Sequence, residues 1–266
     1  MKKLMIVAAA AMGLAAFGDI ESANTVGFTT MAAGKGKFIM LGAQFDEIGG
    51  GTKVQNLVAG VKGVPYDENG DFEKTAPQIQ IPAGGGYQTF YYLEDGWYDD
   101  GTEEGGFKAG WCDGIGNITD YEVTPGVAIW LKSVGEDAIV NVSGEVPSVD
   151  EVEVECPEIF SMRANAFPTE IAINSDKMLV TDIAAVPYDE ASEFEKTAPQ
   201  IQIPFGGGYK TYYYLEDGWF DDGTEEGGFK AGWCDGIGNL TDATIPVAQG
   251  FWLKGVGSAF NVKFVR

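Results

Sequence analysis

The 266-residue chain carries 17 Lys and Arg against 40 Asp and Glu, a net charge of −23, and no histidine. That acidity makes nucleic acid and anionic membranes poor partners. The missing imidazole excludes Ser-His-Asp and Cys-His catalysis and His-ligated zinc or haem.

The chain opens with Met1-Lys2-Lys3 and the apolar run Leu4–Phe17, the form of a secretory signal. The run is shorter than the roughly 20 apolar residues that span a bilayer. Residues 1–18 therefore read as a signal peptide cut after Gly18. The mature protein is expected to be bacterial, secreted or held at the cell surface, with no membrane insertion once the signal is removed.

From Val64 to Lys132 the chain reads VPYDENGDFEKTAPQIQIPAGGGYQTFYYLEDGWYDDGTEEGGFKAGWCDGIGNITD on to WLK, and this returns from Val186 to Lys254 without insertion or deletion at an offset of 122 residues. The same offset, carried upstream, pairs Phe38 with Phe160, Met40 with Met162, Phe45 with Phe167 and Leu57-Val58 with Leu179-Val180. A repeat this long exceeds solenoid or propeller units, so each copy reads as a whole domain. The expected division is residues 19–147 and 148–266.

Inside a copy the hydrophobic period is two. Strands are expected at Lys37–Gln44, Gln78–Ile81, Tyr87–Glu94, Val127–Ser133 and Ala138–Val142, and at the strict alternation Glu151–Glu155, with AGGGY as a turn. The changes Gln88 to Lys210 and Phe90 to Tyr212 fall on one face of the long strand, which reads as the face nearer water. No helical stripe is sustained. The expected fold is all-β, two tandem homologous antiparallel sandwiches or barrels.

Acidic loops are the first site candidate. Asp95, Asp99, Asp100, Glu103 and Glu104 crowd DGWYDDGTEEGG, and Asp217, Asp221, Asp222, Glu225 and Glu226 repeat them. Carboxylates this close repel unless solvated or bridged, and calcium takes six to eight oxygens from a flexible loop. The order of an EF-hand is missing, however, so a solvated loop is the competing reading. Asp113, Asn117 and Asp120, with Asp235, Asn239 and Asp242, offer further ligands or an Asx turn.

Aromatic residues are the second candidate. Trp97, Tyr98 and Trp111, with Trp219, Phe220 and Trp233, have the chemistry of a sugar-stacking platform, against the plainer reading that aromatics at β spacing fill the core. Paired carboxylates alone do not make a glycosidase without a fixed separation. Cys112 and Cys234 repeat each other, whereas Cys156 aligns with Gly34, so no disulfide closes within a copy, and buried thiols are expected over pairing between copies.

The NTVGF segment, the FIMLGAQF strand and the closing AQGFWLK together resemble a group of uncharacterised secreted bacterial β-rich proteins that open on a VGY-like strand and close on a GQGFW-like strand. The resemblance implies export and β structure, and carries no activity, cofactor or catalytic residue. The first copy departs from it with PGVAIWLK. The functional expectation is a noncatalytic structural subunit of an extracellular layer, filament or matrix, partnered by its own copies or other surface proteins. The alternative is a two-site carbohydrate-binding protein partnered by polysaccharide.

Overall fold

A computed structural model describes residues 26–46, 52–57, 60–83, 85–135, 137–189, 191 and 193–266. The expected signal peptide, 1–18, and Val58 lie outside them.

The protein is all-β, with antiparallel sheets and, among the described residues, only single turns of helix. In the first copy β1 (Val26–Ala33) pairs with β7 (Ala138–Glu145), while β2 (Phe38–Gly42), β6 (Ala128–Lys132), β3 (Gln78–Ala83), β4 (Gly86–Tyr98) and β5 (Gly106–Cys112) lie side by side in that order. In the second, β9 (Ser161–Ala164), β16 (Gly250–Lys254), β12 (Gln200–Phe205), β13 (Gly208–Phe220) and β14 (Gly228–Cys234) repeat the five-stranded sheet, and β11 (Met178–Thr181), β17 (Phe260–Val265) and β8 (Glu151–Cys156) form its partner. A short pair, β10 (Ile171–Ala172) with β15 (Thr244–Ile245), is added there. The two layers of a copy enclose a core. Ile79 and Ile81 alternate inward from β3 and meet Leu41, Ile129, Leu131, Phe90 and Val140 in the first copy, and Ile201, Ile203, Leu253, Phe251 and Val262 do the same in the second. Each such side chain contributes about 1.5–3 kcal/mol relative to exposure.

The opposite face of the long strand is covered as well. The single helical turn α2 (Phe72–Thr75) is held by Asp67, whose carboxylate accepts from the Phe72 amide at 2.9 Å, and it lowers Phe72 onto Tyr91, Leu93 and Cys112. Asp189 and Phe194, in α3 (Phe194–Thr197), repeat the arrangement. A further turn, α1 (Val54–Leu57), lies only in the first copy. The expectation that the face of Gln88, Phe90 and Tyr92 lies nearer water holds at Gln88, which is exposed, and is corrected at Phe90 and Tyr92. Phe90 is buried, and Tyr92 and Tyr212 pack against the cores, because this face looks into the sandwich.

Two upstream alignments also change. Ala33 opposes Ala138 and Cys156 opposes the equivalent Phe260, so Cys156 corresponds to Ala33 and not Gly34; the connection to the next strand is one residue shorter in the second copy. Leu57 closes a helical turn whereas Leu179 lies in a strand, so their pairing fails. The residues that do match there are Gln55 and Asn174: each side-chain amide donates to two carbonyls, Trp111 and Thr119 in the first copy, Trp233 and Thr241 in the second.

The copies meet about a pseudo-twofold axis. Gly42 N–H donates to the Ala248 carbonyl at 2.8 Å, and Ala164 N–H, its equivalent, donates to the Gly126 carbonyl at 3.0 Å. Gly126 has φ +80° and Ala248 has φ 60°, so the second copy holds an alanine in the left-handed region. Gln44 adds a one-sided contact, its carbonyl oxygen accepting from the Ala248 amide at 2.6 Å. Met40, Met162, Ala128 and Ala164 close a small apolar cluster at the axis.

Candidate functional site

The acidic loops are self-contained turns. Asp99 accepts from Gly101 N–H at 2.8 Å, and one oxygen of Asp100 accepts from both Thr102 N–H and its hydroxyl, at 3.0 and 2.7 Å. Asp221 and Asp222 do the same with Gly223 and Thr224. The Thr102 hydroxyl, then its amide, hold the Asp100 carboxyl below its usual pKa, as Thr224 does for Asp222. Asp95 and Asp217 instead fasten the covering segment, accepting from Tyr66 and Tyr188 N–H at 2.8 Å. Glu103 and Glu104, like Glu225 and Glu226, are exposed. Among the described residues no three acidic, Cys or His side chains converge as metal ligands. Short side chains beside glycine bond their own turn before they reach one another. Asp113 and Asp235 likewise cap Asx turns, each accepting from two amides of CDGIGN.

The proposed sugar platform divides. Trp111 and Trp233 are sealed in the cores against Tyr92 and Tyr214, with ring centroids 5.1 and 5.2 Å apart, so neither can stack a sugar. Their indole N–H groups are buried without a partner among the described residues, a cost of about 1–3 kcal/mol each. Trp97 and Trp219 remain partly exposed and clamp the acidic loop, donating to the Glu104 and Glu226 carbonyls at 3.2 Å. Their rings lie over Gly105 and Gly227, and Tyr98 and Phe220 lie over Gly106 and Gly228, which accounts for the paired glycines of EEGGF. Trp97 pairs across the strands with Phe107, 66% exposed, and Trp219, Phe229 and Ile237 line one hollow, the last two 65% and 70% exposed; Ile115, 71% exposed, is the repeat equivalent of Ile237.

A different aromatic array lies where the copies meet. Phe38, Trp130, Trp252 and Phe160 run across the pseudo-twofold axis edge to face, with successive centroids 5.8, 6.0 and 6.2 Å apart. On one side of it the glycine hairpin of β12–β13, carrying Phe205 and Tyr209, closes a groove of about 420 Å³ over Phe38 and Trp130. On the other, Ala83 and Tyr87 of the β3–β4 hairpin close the equivalent groove of about 290 Å³ over Phe160 and Trp252. Next to each tryptophan, Gln80 opposes Trp130 and Thr89, and Gln202 opposes Trp252 and Thr211, all partly exposed. Sequence reasoning missed this row because Trp130 and Trp252 alternate with core leucine and isoleucine; the WLK repeat was visible, but the meeting of its two copies was not.

The three thiols are free and buried. Burial, then nearby Asp113 and Asp95, push Cys112 up to about 12; burial, then Asp235, does the same for Cys234. Burial also lifts Cys156 to about 11 despite the opposing Arg163. They pack as small hydrophobes, and their burial disfavours the thiolate.

Comparison with protein-family models, curated proteins and solved structures finds no match. What the fold and these surfaces define is a class: an all-β protein built from a tandem repeat, with like surfaces duplicated about an internal pseudo-twofold.

Proposed function

We propose that the chain is a noncatalytic structural protein of the bacterial cell exterior, a subunit of a layer, filament or matrix that assembles through like-to-like contacts at its two ends. The observation that carries this reading is the duplicated apolar cluster of Trp97, Phe107 and Ile115 with Trp219, Phe229 and Ile237. Strand order puts β5 and β14 at the sheet edges remote from the axis where β2 and β9 meet, so the two clusters sit at opposite limits of the molecule. Exposed large side chains beside an outer strand are an association surface. A patch that pairs with its own kind does so about a twofold, and a molecule with two such patches extends into an open line.

The net charge of −23 opposes association, so assembly should strengthen as salt rises. The test is light scattering and electron microscopy of wild type beside Phe107→Ser, Phe229→Ser and the double variant. Wild type is expected to form polymers, either single variant to stop at pairs, and the double variant to remain monomeric. Wild-type monomers under all salt conditions, or polymers unaffected by the double change, would overturn the reading.

A further inference from the structure

We propose that the aromatic row at the pseudo-twofold axis, with its two flanking grooves, is a binding site for an acidic polysaccharide, a chain of sugar rings bearing carboxylates. The first observation is the ring geometry. Phe38, Trp130, Trp252 and Phe160 form an unbroken row, and its outer members Phe38 and Phe160 are exposed. An aromatic face takes the apolar C–H face of a sugar ring; successive rings here are turned 65–74° to each other, so the row offers separate ring faces along its length and not one flat platform, which suits the successive residues of an extended polymer. Stacking reads the ring face and not the sense of the chain, so one polymer can cross an axis that reverses polarity.

The second observation is polar chemistry beside the rings. Gln80 with Thr89, and Gln202 with Thr211, sit in cross-strand register with the tryptophans, placing an amide and a hydroxyl where sugar hydroxyls would lie.

The third is charge. Although the chain holds 40 Asp and Glu, no carboxylate lines either groove among the described residues. Cations border the site instead. Lys132 lies over Phe38 at 5.4 Å, Lys254 over Phe160 at 5.3 Å and Lys210 over Phe205 at 4.0 Å. The salt bridges among the described residues engage Lys74, Lys196 and Lys263, leaving these three lysines outside any ion pair. A carboxylated polymer complements that border locally, against the repulsion of the chain's net charge of −23. The two grooves share a tryptophan, its glutamine and threonine and a bordering lysine, and differ at the covering hairpin, where Phe205 and Lys210 in one stand against Ala83 and Gln88 in the other; longer oligomers gain by engaging both.

The proposal is independent of self-assembly, since it uses neither Phe107 nor Phe229. The test is isothermal titration of the full-length protein with oligogalacturonates of increasing length, and with neutral gluco-oligosaccharides of the same lengths. Expected results are affinity that rises with oligomer length, and binding of the neutral series weaker by about tenfold or more. Lys132→Glu with Lys254→Glu should weaken oligogalacturonate by about tenfold or more, whereas Phe107→Ser with Phe229→Ser should leave it unchanged. Gln80→Ala with Gln202→Ala, read beside an unchanged melting temperature, is the second variant. Absence of oligogalacturonate binding, equal binding of the neutral series, or full binding by both the lysine and glutamine variants overturns the proposal.

Discussion

Gly42 and Ala164 are the same position of the repeat, and they face each other across the pseudo-twofold axis: a Cβ built on Gly42 would lie 2.5 Å from the Ala164 Cβ. Ala128 and Gly250 reverse the assignment, a Cβ on Gly250 falling 2.6 Å from that of Ala128. Each equivalent pair has room for one methyl. The interface is thus symmetric in its backbone hydrogen bonds and complementary in its side chains, so copy 1 fits copy 2 better than either copy fits itself.

Gly42→Ala should consequently destabilise the protein by about 1–3 kcal/mol, the range for overpacking a closed site. Combining it with Ala164→Gly moves the methyl across the axis and should restore most of the loss. Denaturant melts of the three variants check this; an uncorrected double variant would show that the methyls do not oppose each other.

Asp99, Asp100, Asp221 and Asp222 already accept from their own turns. Millimolar calcium should therefore raise the melting temperature no more than sodium chloride at matched ionic strength, through screening alone. A calcium-specific rise, lost in Asp99→Asn with Asp100→Asn, would restore the ion to these loops. The carboxyls of Asp100 and Asp222 are depressed in the folded state, so the stability they contribute is present above their ordinary value of 3.8 and is lost as pH falls through the folded values.

The thiols give the opposite pH dependence. Their ordinary value is 9.0, and in the folded protein Cys112 and Cys234 lie near 12 and Cys156 near 11. Their contribution is complete below pH 9.0 and is lost as pH rises through the folded values, because the unfolded chain releases protons that the folded chain retains. At pH 8 the native protein should react with a thiol reagent only as fast as it opens, and melts should show stability falling from about pH 9 upward. Rapid labelling of native Cys112 would contradict its burial.

The all-β character and the hairpin QIQIP–AGGGY–QTFYYL were legible in the sequence, because alternation and turn glycines are local signals. The faces of the long strand were not, since the Phe72 segment that covers its second side is brought there by Asp67 and Asp95. Identity between copies also hid small shifts: Cys156 moved by one place because Pro157–Ile159 is one residue shorter than Gly34–Lys37, and unlike neighbours gave nothing to align. As for the site, Trp97 and Trp111 stand out in one copy alone, whereas Trp130 gains meaning only beside Trp252.

The unlike pair Gln55 and Asn174 supplies the last prediction. Gln55 donates to the Trp111 and Thr119 carbonyls, at 2.5 and 2.9 Å, and accepts from Trp111 N–H at 3.0 Å. Asn174 makes the same three bonds with Trp233 and Thr241, at 2.8, 2.9 and 2.8 Å. Each amide therefore ties the outer strand, β5 or β14, to the segment returning from the CDGIGN turn. It satisfies backbone groups beside a buried tryptophan whose own indole N–H has no partner among the described residues. Gln55→Ala should leave those groups unpaired at a cost of about 1–3 kcal/mol. Gln55→Asn should rescue little, because the first copy reaches the strand from a helical turn and needs the longer side chain. Hydrogen exchange is the decisive readout. Protection should fall at Trp111 and Thr119 in the Gln55 variant while Trp233 and Thr241 keep theirs, and Asn174→Ala should give the converse. Equal loss in both copies would mean that the clips act through global stability, and full protection in both would mean that they hold nothing.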